Sequence, residues 1–385
     1  MRDRVAIAGA ATTGFQARNT DRSQASYVAQ AAVAVLDQCG LTTRDIDGLC
    51  GSLPAAPAVQ SMLGIPEVTW FANPIIPFGN QLAAAASAVY SGLCDVVLAY
   101  HGAYRMAWNT GSALKDPFRR GVAFGSSPAP VPESVAGSVG YTAWASRYIH
   151  EFGVPRASLG YVAINDRSNA MANPGAAMRD PLTMEDYLSA RMIRSPLCLY
   201  DMDVAVDGAD AFIITTAERA ADLPLAPVLV DAIVLGMIDK NEEDQSPSLR
   251  RHGQQVTVEA LKARSGFWID DVDVLLVYDG FSVIALNWLE NVGYCGPGEA
   301  GSFIEDNWAA GDDGTGRILI KGRVPVNPHG GSLSEGGTQG SGHLREAVHQ
   351  LQGLASGRQV EGAQRALVTV GGFFFNAQGI TLRRG

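Results

Sequence analysis

A motif that occurs once in each half of the chain constrains its fold more than any other sequence feature. Residues 40–47 read GLTTRDID and residues 266–273 read GFWIDDVD. Both copies start with glycine and an apolar residue and end with two aspartates on either side of a β-branched residue. A helical pattern precedes each copy and an apolar strand pattern follows it. The repeat predicts an internal duplication, and therefore an α/β protein with two pseudo-twofold related halves.

Local patterns predict the elements around this repeat. Residues 23–39 read as a helix, with Ser23 as the N-cap and Gly40 as the C′ residue. Further helices are expected over residues 79–91, which are rich in alanine, and over about 257–265. Strands are expected over residues 4–9, 95–100, 207–216, 227–235 and 274–278.

Residues 102–200 differ from the repeated halves because they are rich in Pro, Gly, Ser and Met. Such a segment is typical of an inserted loop domain that forms a lid, a binding wall or an interface. Helices are expected within it near residues 141–152 and 156–172. The predicted division is an N-terminal half over residues 1–235, which includes the insertion, and a C-terminal half over residues 236–385.

A glycine-rich stretch, NPHGGSLSEGGTQGSG over residues 327–342, leads into a helical pattern that continues to Gly353. Glycine at this density indicates a backbone that adopts positive φ or approaches another group closely. At the start of a helix, such a loop presents backbone N–H groups to a ligand or a developing anion. Close packing of helices is an alternative reason for the same glycines.

Composition and charge restrict the classes of partner. Hydrophobic residues make up 47% of the chain and charged residues 18%, which fits a globular protein with a large core. The net charge of −10 argues against nucleic acid or an anionic membrane as the main partner. The mean hydropathy of +0.05 suggests additional apolar surface in an oligomer interface. Neither a membrane-spanning apolar run nor a signal-peptide pattern is expected.

The cysteines indicate a reducing compartment. The five of them, Cys39, Cys50, Cys94, Cys198 and Cys295, are scattered and never form a CxxC spacing. This pattern fits reduced thiols in a cytoplasmic protein rather than a disulfide framework or a zinc site. Walker and Rossmann glycine signatures are also absent from the sequence. No bound metal and no covalently held cofactor are therefore expected.

Several stretches, in order along the chain, resemble the thiolase superfamily, and especially its sterol-carrier and lipid-transfer-protein branch. They are GLTTRDIDGL, CDVVLAYHGA, DGADAFIITT, YDGFSVIALNWLENVGYCGPGEAGSFI, VNPHGGSLSEG and VTVGGFFFNAQG. The resemblance covers essentially the whole chain. It implies the thiolase fold: two βαβαβαββ halves in a five-layer αβαβα arrangement, an inserted loop domain and a tight homodimer.

The four catalytic groups of thiolases of this type are missing at the matching positions. The nucleophilic Cys opens the alanine-rich helix in thiolases, whereas residues 75–81 of this chain read IIPFGNQ. One catalytic His position falls on Tyr278, the other near Gly337, and the second Cys position falls near Thr369. Without an activated nucleophile no acyl-enzyme can form. Thiolysis and Claisen condensation by the usual route are therefore excluded.

One branch that lost the cysteine, the lipid-transfer-protein-like aldolases of bacterial steroid side-chain degradation, resembles this chain closely. Its Tyr-Asp-x-Phe motif matches YDGF at residues 278–281, and its Asn-Thr-His-Gly-Gly motif matches NPHGG at residues 327–331. The resemblance implies retro-aldol cleavage of a β-hydroxyacyl-CoA in complex with a small zinc-ribbon and OB-fold protein. Of the two tyrosines with catalytic roles there, one maps onto Tyr278. The other maps near Gly337, where this chain has no tyrosine.

Retro-aldol cleavage needs a base for the β-hydroxyl group and hydrogen-bond donors for the enolate. The candidate catalytic residues are Tyr278, Asp279 and His329, although a core tyrosine and a backbone-bonded loop histidine are alternative interpretations. Candidate substrate or oxyanion groups are Asn327, Gly330, Gly331, Gly337, Gly371 and Gly372. Candidate ligands of the CoA phosphates are Arg105, Lys115, Arg119 and Arg120, unless these belong to a solvated loop.

Other conspicuous residues are given structural interpretations. His343 is predicted to be a surface residue or a cap partner, and His252 and His349 to be structural or exposed. Tyr294 and Cys295 are interpreted as turn packing. The aromatic run over residues 373–375 is either a wall for a bulky apolar substrate or a core or dimer contact.

Three functions stay open at this point. The first is an aldolase acting on a β-hydroxyacyl-CoA with a bulky, for example steroid-type, acyl group. The second is a catalytically silent subunit that binds acyl-CoA or a lipid, and the third is an acyltransferase with a relocated nucleophile such as Cys94. The missing cysteine together with Tyr278, Asp279 and the NPHGG motif favours the first.

Overall fold

The computed structural model describes residues 1–18, 22–105, 138–239, 248–311, 313–373 and 376–385. The strands in these residues are β1 Val5–Thr12, β2 Gly48–Gly51, β3 Trp70–Ala72, β4 Val96–Tyr104, β5 Met192–Arg194, β6 Leu197–Cys198, β7 Asp207–Thr216, β8 Val228–Gly236, β9 Val274–Leu276, β10 Trp308–Ala310, β11 Gly316–Ile320, β12 Val324–Pro325, β13 Arg365–Val370 and β14 Ala377–Arg384. The helices are α1 Gln24–Cys39, α2 Ala56–Leu63, α3 Gly79–Tyr90, α4 Ser138–Phe152, α5 Ala157–Ala170, α6 Met184–Ser189, α7 Ala217–Ala221, α8 Gly253–Arg264, α9 Ser282–Val292, α10 Ala300–Asp306 and α11 Ser341–Gln352.

Two sets of five strands repeat one order. Hydrogen bonds join nine strands in the order β3-β2-β4-β7-β1-β8-β14-β13-β9. Val326, directly after β12, bridges Leu275 of β9 in parallel. The first set comprises β1, β2, β3, β4 and β7, and the second comprises β8, β9, β12, β13 and β14. If the strands of each set are numbered in chain order, the spatial order from the outer edge inward is third, second, fourth, fifth and first in both sets. The two first strands, β1 and β8, meet in a short antiparallel contact at Ala6–Leu229 and Ile7–Val228, so the predicted duplication is confirmed.

The duplicated motif performs the same structural task in both halves. Asp47 accepts hydrogen bonds from the N–H groups of Asp95 and Val96 at the start of β4. Asp273 accepts the equivalent bonds from Gln364 and Arg365 at the start of β13. Each aspartate directly precedes the second strand of its set and thus fixes that point of the chain to the start of the fourth strand.

The helices form three layers around the two sets of strands. α3 and α11 each contact strands of both sets, so these two helices lie in the middle of the molecule. α1 packs on β1, β4 and β7, and α8 packs on β8 and β14, which places them on the outer faces. The small side chains of α3, largely alanine, allow two sheets to approach this layer closely. The predicted five-layer αβαβα arrangement is confirmed.

Local sequence signals positioned several elements well. α1 begins after Ser23, whose side chain accepts a hydrogen bond from Ser26 N–H, and ends at Gly40 with φ 65°. The helices expected near residues 141–152 and 156–172 are α4 and α5. α8 begins at Gly253, one turn before the predicted start, because His252 caps it. The predicted division between residues 235 and 236 falls at the end of β8 and stays a prediction.

The predicted insertion contains a buried helix, so its described part is not confined to the periphery of the molecule. α5 is buried on almost every side from Ser158 to Ala170, and it packs against the glycine-rich loop, β11, α9 and α10. Among the described residues, no helix is long and apolar enough to cross a membrane.

Candidate active site

Tyr278 and Asp279 follow β9 where the chain turns toward α9. The backbone N–H of Tyr278 donates to Thr369 Oγ1 on β13 at 3.1 Å. The tyrosine side chain is 6% exposed. Burial raises the pKa of Tyr278 well above its usual value, and the charge of Asp203 raises it further, while Arg105 opposes the shift. The phenol is therefore protonated at neutral pH and can donate a hydrogen bond or a proton.

Asp279 is the acceptor around which the glycine-rich loop is folded. Its carboxylate oxygens accept hydrogen bonds from Ser332 N–H at 2.8 Å and Leu333 N–H at 2.9 Å. Burial would raise the pKa of Asp279, but the hydrogen bond with His343 and those of the loop hold it below its usual value. Burial and the neighbouring Asp279 raise the pKa of Asp166 well above its usual value. Asp279 is thus ionised and fully engaged, with a protonated Asp166 beside it.

His343 lies in the site, so its prediction as a surface residue or cap partner is wrong. It is 1% exposed, and its Nε2 lies 2.9 Å from Asp279 Oδ1. Because Asp279 is an acceptor, Nε2 carries the proton, and Nδ1 presents a lone pair that has no hydrogen-bond partner among the described residues. The reason for the error is that α11 lies between the two sheets, where even the first turn of a helix is buried.

His329 packs its ring edge against His343, with 4.7 Å between the ring centroids. Neither of its ring nitrogens has a hydrogen-bond partner within the described residues. Burial, and then His343, lower the pKa of His329 well below its usual value. Its Nε2 lies 3.9 Å from Glu335 Oε2. The structure therefore brings Tyr278, His343 and a neutral His329 together in one row, with 5.6 Å between the ring centroids of Tyr278 and His343.

Two glycines of the loop adopt backbone conformations that favour glycine. Gly330 and Gly331 have φ of 104° and 58°, values that L side chains rarely adopt. A Cβ on Gly331 would collide with carboxylate oxygens of Asp279 and Asp166. Asn327 is fully buried, and its side-chain amide pairs with both backbone groups of Val277 at 2.9 Å. These residues hold the loop against the end of β9.

Several predicted oxyanion donors already have partners. Gly330 N–H donates to Asn327 O at 2.9 Å, and Gly337 N–H donates to Val204 O at 2.8 Å. Gly372 N–H donates to Asn376 Oδ1 at 3.0 Å, and the carbonyl of Gly371 accepts from the Trp288 indole. The oxyanion assignment of these glycines stays a prediction.

Sequence reasoning missed three asparagines that support the loop, two on α5 and one three residues after its end. Asn165 and Asn169 both donate to the Val326 carbonyl, at 3.1 and 2.9 Å. Asn173 donates to the His329 carbonyl at 2.8 Å and to Glu335 at 2.7 Å. The signal was the spacing of four residues between Asn165 and Asn169, which places them on one side of a helix. In a polar run of sequence, the same spacing is equally typical of a solvated surface.

Arg105 is ion-paired with Asp203 beside Gly337. Lys115, Arg119 and Arg120 lie outside the described residues, as do Phe374 and Phe375. Phe373 is fully buried and stacks on Trp144 with 4.0 Å between centroids, so it is a core contact.

Three further residues are structural, as expected. Burial lowers the pKa of His252, which caps α8, to about 3. His349 Nε2 lies 2.8 Å from the carbonyl of Ala10, and the Tyr294 hydroxyl donates to the Ile269 carbonyl.

The chemistry of a nucleophilic cysteine is absent from this centre. α3 begins at Gly79 after the fully buried Phe78. Burial raises the pKa of both Cys50 and Cys94 to about 12, so neither thiol is activated. In the part of the chain that the structure describes, no group of three or more His, Cys, Asp or Glu side chains is placed to hold a metal ion. Two surface clefts, of about 350 and 180 Å³, lie away from Tyr278 and His343.

Comparisons with known proteins agree with this arrangement. Residues 237–384 match the family described as Thiolase C-terminal domain-like. The chain is 34% identical to the 17-hydroxy-3-oxo-4-pregnene-20-carboxyl-CoA lyase of Mycobacterium tuberculosis, over 95% of this chain and 96% of the relative. It is 31% identical to the steroid side-chain-cleaving aldolase of Thermomonospora curvata, over 95% and 94% of the two chains.

A solved structure named the Ltp2-ChsH2(DUF35) aldolase superposes with a TM-score of 0.85 at 28% sequence identity. The superposition covers 100% of this chain and 98% of that one. Together with the cysteine-free centre around Tyr278, these similarities show that the chain belongs to the thiolase superfamily, in the branch that includes the steroid side-chain-cleaving aldolases.

Proposed function

We propose that the protein is a carbon–carbon lyase that performs retro-aldol cleavage of a β-hydroxyacyl-CoA with a bulky, steroid-type acyl group. The observation that carries this proposal is a buried centre in which a protonated Tyr278 lies beside a histidine held by Asp279, with no activated thiol. Such a centre can move protons but cannot form an acyl-enzyme. The lyase and aldolase names of the relatives point to the same reaction class.

The reaction requires two proton transfers and one bond cleavage, and a third proton transfer then restores the enzyme. A base takes the proton of the β-hydroxyl group, and the bond between the α and β carbons breaks. The electron pair of that bond forms the enolate of the thioester, and the phenol of Tyr278 supplies a proton to the α carbon. The proton on the base then returns to the phenolate, so that the products are a carbonyl compound and a shorter acyl-CoA.

Two histidines can accept the hydroxyl proton. His329 has two ring nitrogens without hydrogen-bond partners among the described residues, and burial lowers its pKa. His343 has its Nε2–H held by the ionised Asp279, which leaves Nδ1 as the acceptor. A base oriented by a carboxylate is the arrangement that general-base catalysis uses. We therefore assign the proton transfer to His343, with Asp279 as its positioning residue and His329 packed against it.

The partners follow from the relatives and from the surface. The solved structure named the Ltp2-ChsH2(DUF35) aldolase includes a DUF35 protein. We extend such a partner, expected from the sequence to carry a zinc ribbon and an OB fold, to this chain. A homodimer through the edge strand β3 is supported by the exposed side chains of Phe71 (56%) and Ile75 (68%). Arg119 and Arg120 stay the candidates for the CoA phosphates, and the cytoplasm stays the proposed location.

The test is turnover of a steroid-type β-hydroxyacyl-CoA, with and without a DUF35 partner, measured as release of the shorter acyl-CoA. Tyr278→Phe removes the proton donor and should lower kcat by about 100-fold or more. Tyr294→Phe is the matched control, because that hydroxyl donates to the Ile269 carbonyl outside the candidate site, and it should leave turnover unchanged. Unaltered turnover in Tyr278→Phe would refute the assigned role.

The same experiment separates the other functions. Tight acyl-CoA binding without cleavage, with the partner present, would identify a silent binding subunit. An acyl group attached to the protein would indicate an acyltransferase. The second outcome is not expected, because burial holds the pKa of Cys94 near 12.

A further inference from the structure

Position 337 of the glycine-rich loop is next to an ion pair that the proposed reaction does not use. A Cβ at Gly337 would collide with Nη1 of Arg105 and with Oδ2 of Asp203, which are bonded to each other. The backbone of Gly337 is anchored there by its hydrogen bond to Val204 O at 2.8 Å. The ion pair therefore takes the space into which a side chain at residue 337 would project.

The same ion pair lies close to the Tyr278 phenol. The N–H of Asp203 donates to the carbonyl of Gly280 at 3.0 Å. A Cβ on Gly280 would lie 2.9 Å from the Tyr278 hydroxyl oxygen, so the phenol lies directly over this glycine. Residues 202–204 are thus fastened between the Tyr278 turn on one side and the glycine-rich loop on the other.

Burial distinguishes this pair from an ordinary surface salt bridge. The Arg105 side chain is 40% exposed, that of Asp203 is 14% exposed, and Tyr278 is 6% exposed. The carboxylate and the phenol are therefore both largely removed from water, whereas the guanidinium stays partly exposed. The other groups that face the phenol are Tyr141 from α4, Asp279 from its own turn and the ring of His343 from α11.

We propose that the Arg105–Asp203 ion pair is a positioning element of the reaction centre, which fills the space at residue 337 and holds two opposite charges beside the Tyr278 turn. Its two members act in opposite directions. Asp203 keeps the proton on the phenol, and Arg105 limits that effect so that the proton can leave during the reaction. The catalytic consequence rests on the proposed function, whereas the electrostatic coupling does not.

The test is a titration of residue 278 without any substrate. A fluorinated tyrosine placed at this position has a lower intrinsic pKa, and its single fluorine NMR signal reports ionisation of that phenol alone. Asp203→Asn should lower the pKa of the probe by about one unit or more, and Arg105→Gln should raise it by a similar amount. Glu259→Gln neutralises an exposed pair with Arg251 on the outer helix α8 and should leave the titration unchanged.

A third variant disturbs the geometry and keeps every charge. Gly337→Ala has an allowed backbone, and its methyl group would displace the ends of two flexible side chains, so the fold should persist while the pair moves. We expect the pKa of the fluorinated tyrosine in Gly337→Ala to differ from its pKa in the protein with the unaltered loop. We also expect kcat to fall by a larger factor than the factor by which KM changes. Shifts of the same sign in Asp203→Asn and Arg105→Gln, or no shift in either, would overturn the proposal. An unreactive protein that shows both shifts would count against the proposed function alone.

Discussion

Replacing Arg345 with methionine tests how the centre of the molecule tolerates its charges. Arg345 lies on α11 and is 1% exposed. Its Nε donates to Asp210 at 2.9 Å and its Nη2 to Glu335 at 2.6 Å. Both carboxylates are buried, and Glu335 also accepts from Asn173 under the glycine-rich loop. Methionine preserves much of the side-chain volume while it removes the one cation between two anions.

The expected loss is large because two buried carboxylates stay behind. Removing one partner of a buried ion pair costs about 3–5 kcal/mol, against a total stability of roughly 5–15 kcal/mol for a folded domain. The cost arises because each of these buried carboxylates loses the cation that offsets its desolvation.

The assay is urea denaturation of both proteins, with the slope m compared to confirm similar exposed surface. Lys321→Met is the control, because the Lys321–Asp270 pair is 75% and 83% exposed and should contribute at most about 1 kcal/mol. A loss below about 1 kcal/mol for the Arg345 variant, no larger than that of the control, would refute the reasoning.

Two further changes test the loop and the buried helix. Gly331→Ala combines a φ of 58° with a collision against Asp279. Its loss of folding free energy should be well over the roughly 1 kcal/mol expected for the control Gly353→Ala, where φ is 78° and no atom lies near the added Cβ. Equal decreases of Tm in the two variants would contradict this. Burial would raise the pKa of Glu346, but Arg358 donates hydrogen bonds of 2.7–3.1 Å to its carboxylate and holds that pKa at about 2, below its ordinary 4.5. The stability that Glu346 supplies is present above pH 4.5 and is lost as the pH falls toward 2, and Arg358→Gln should remove this part of the slope in acid denaturation curves.

The sequence alone determined the duplication and most of the elements around it. Gly40 and Gly266 with their following aspartates predicted two equivalent halves, because a strand-capping carboxylate needs the same local pattern wherever it occurs. Ser23 and Gly40 bounded α1, since caps act within a single turn of helix. The absence of a cysteine at the start of α3 was likewise legible, because it concerns the identity of one residue. Signals of this kind are local in the chain.

The candidate site depended on the tertiary structure to a much larger extent. Their motifs made Tyr278, Asp279 and His329 candidates, and their catalytic roles stay predictions. His343 was placed at the surface, and nothing in the sequence indicated that Arg105, a candidate for the CoA phosphates, pairs with Asp203. The helical period of α11 shows which residues share a face, and it does not show that sheets cover the helix on opposite sides. Only the fold brings Asp279 to His343 and Asp203 to Arg105.

The polar residues of α5 show the same limit. The sequence analysis assigned no role to Asn165, Asn169 or the following Asn173, whose partners are backbone carbonyls of residues 326–329. A polar side chain is stable in a core only when such partners exist, and they lie far away in the sequence. What the sequence determined is therefore the architecture and the missing nucleophile. Which buried groups face one another was decided by packing, because hydrogen bonds and charges act through space between segments distant along the chain.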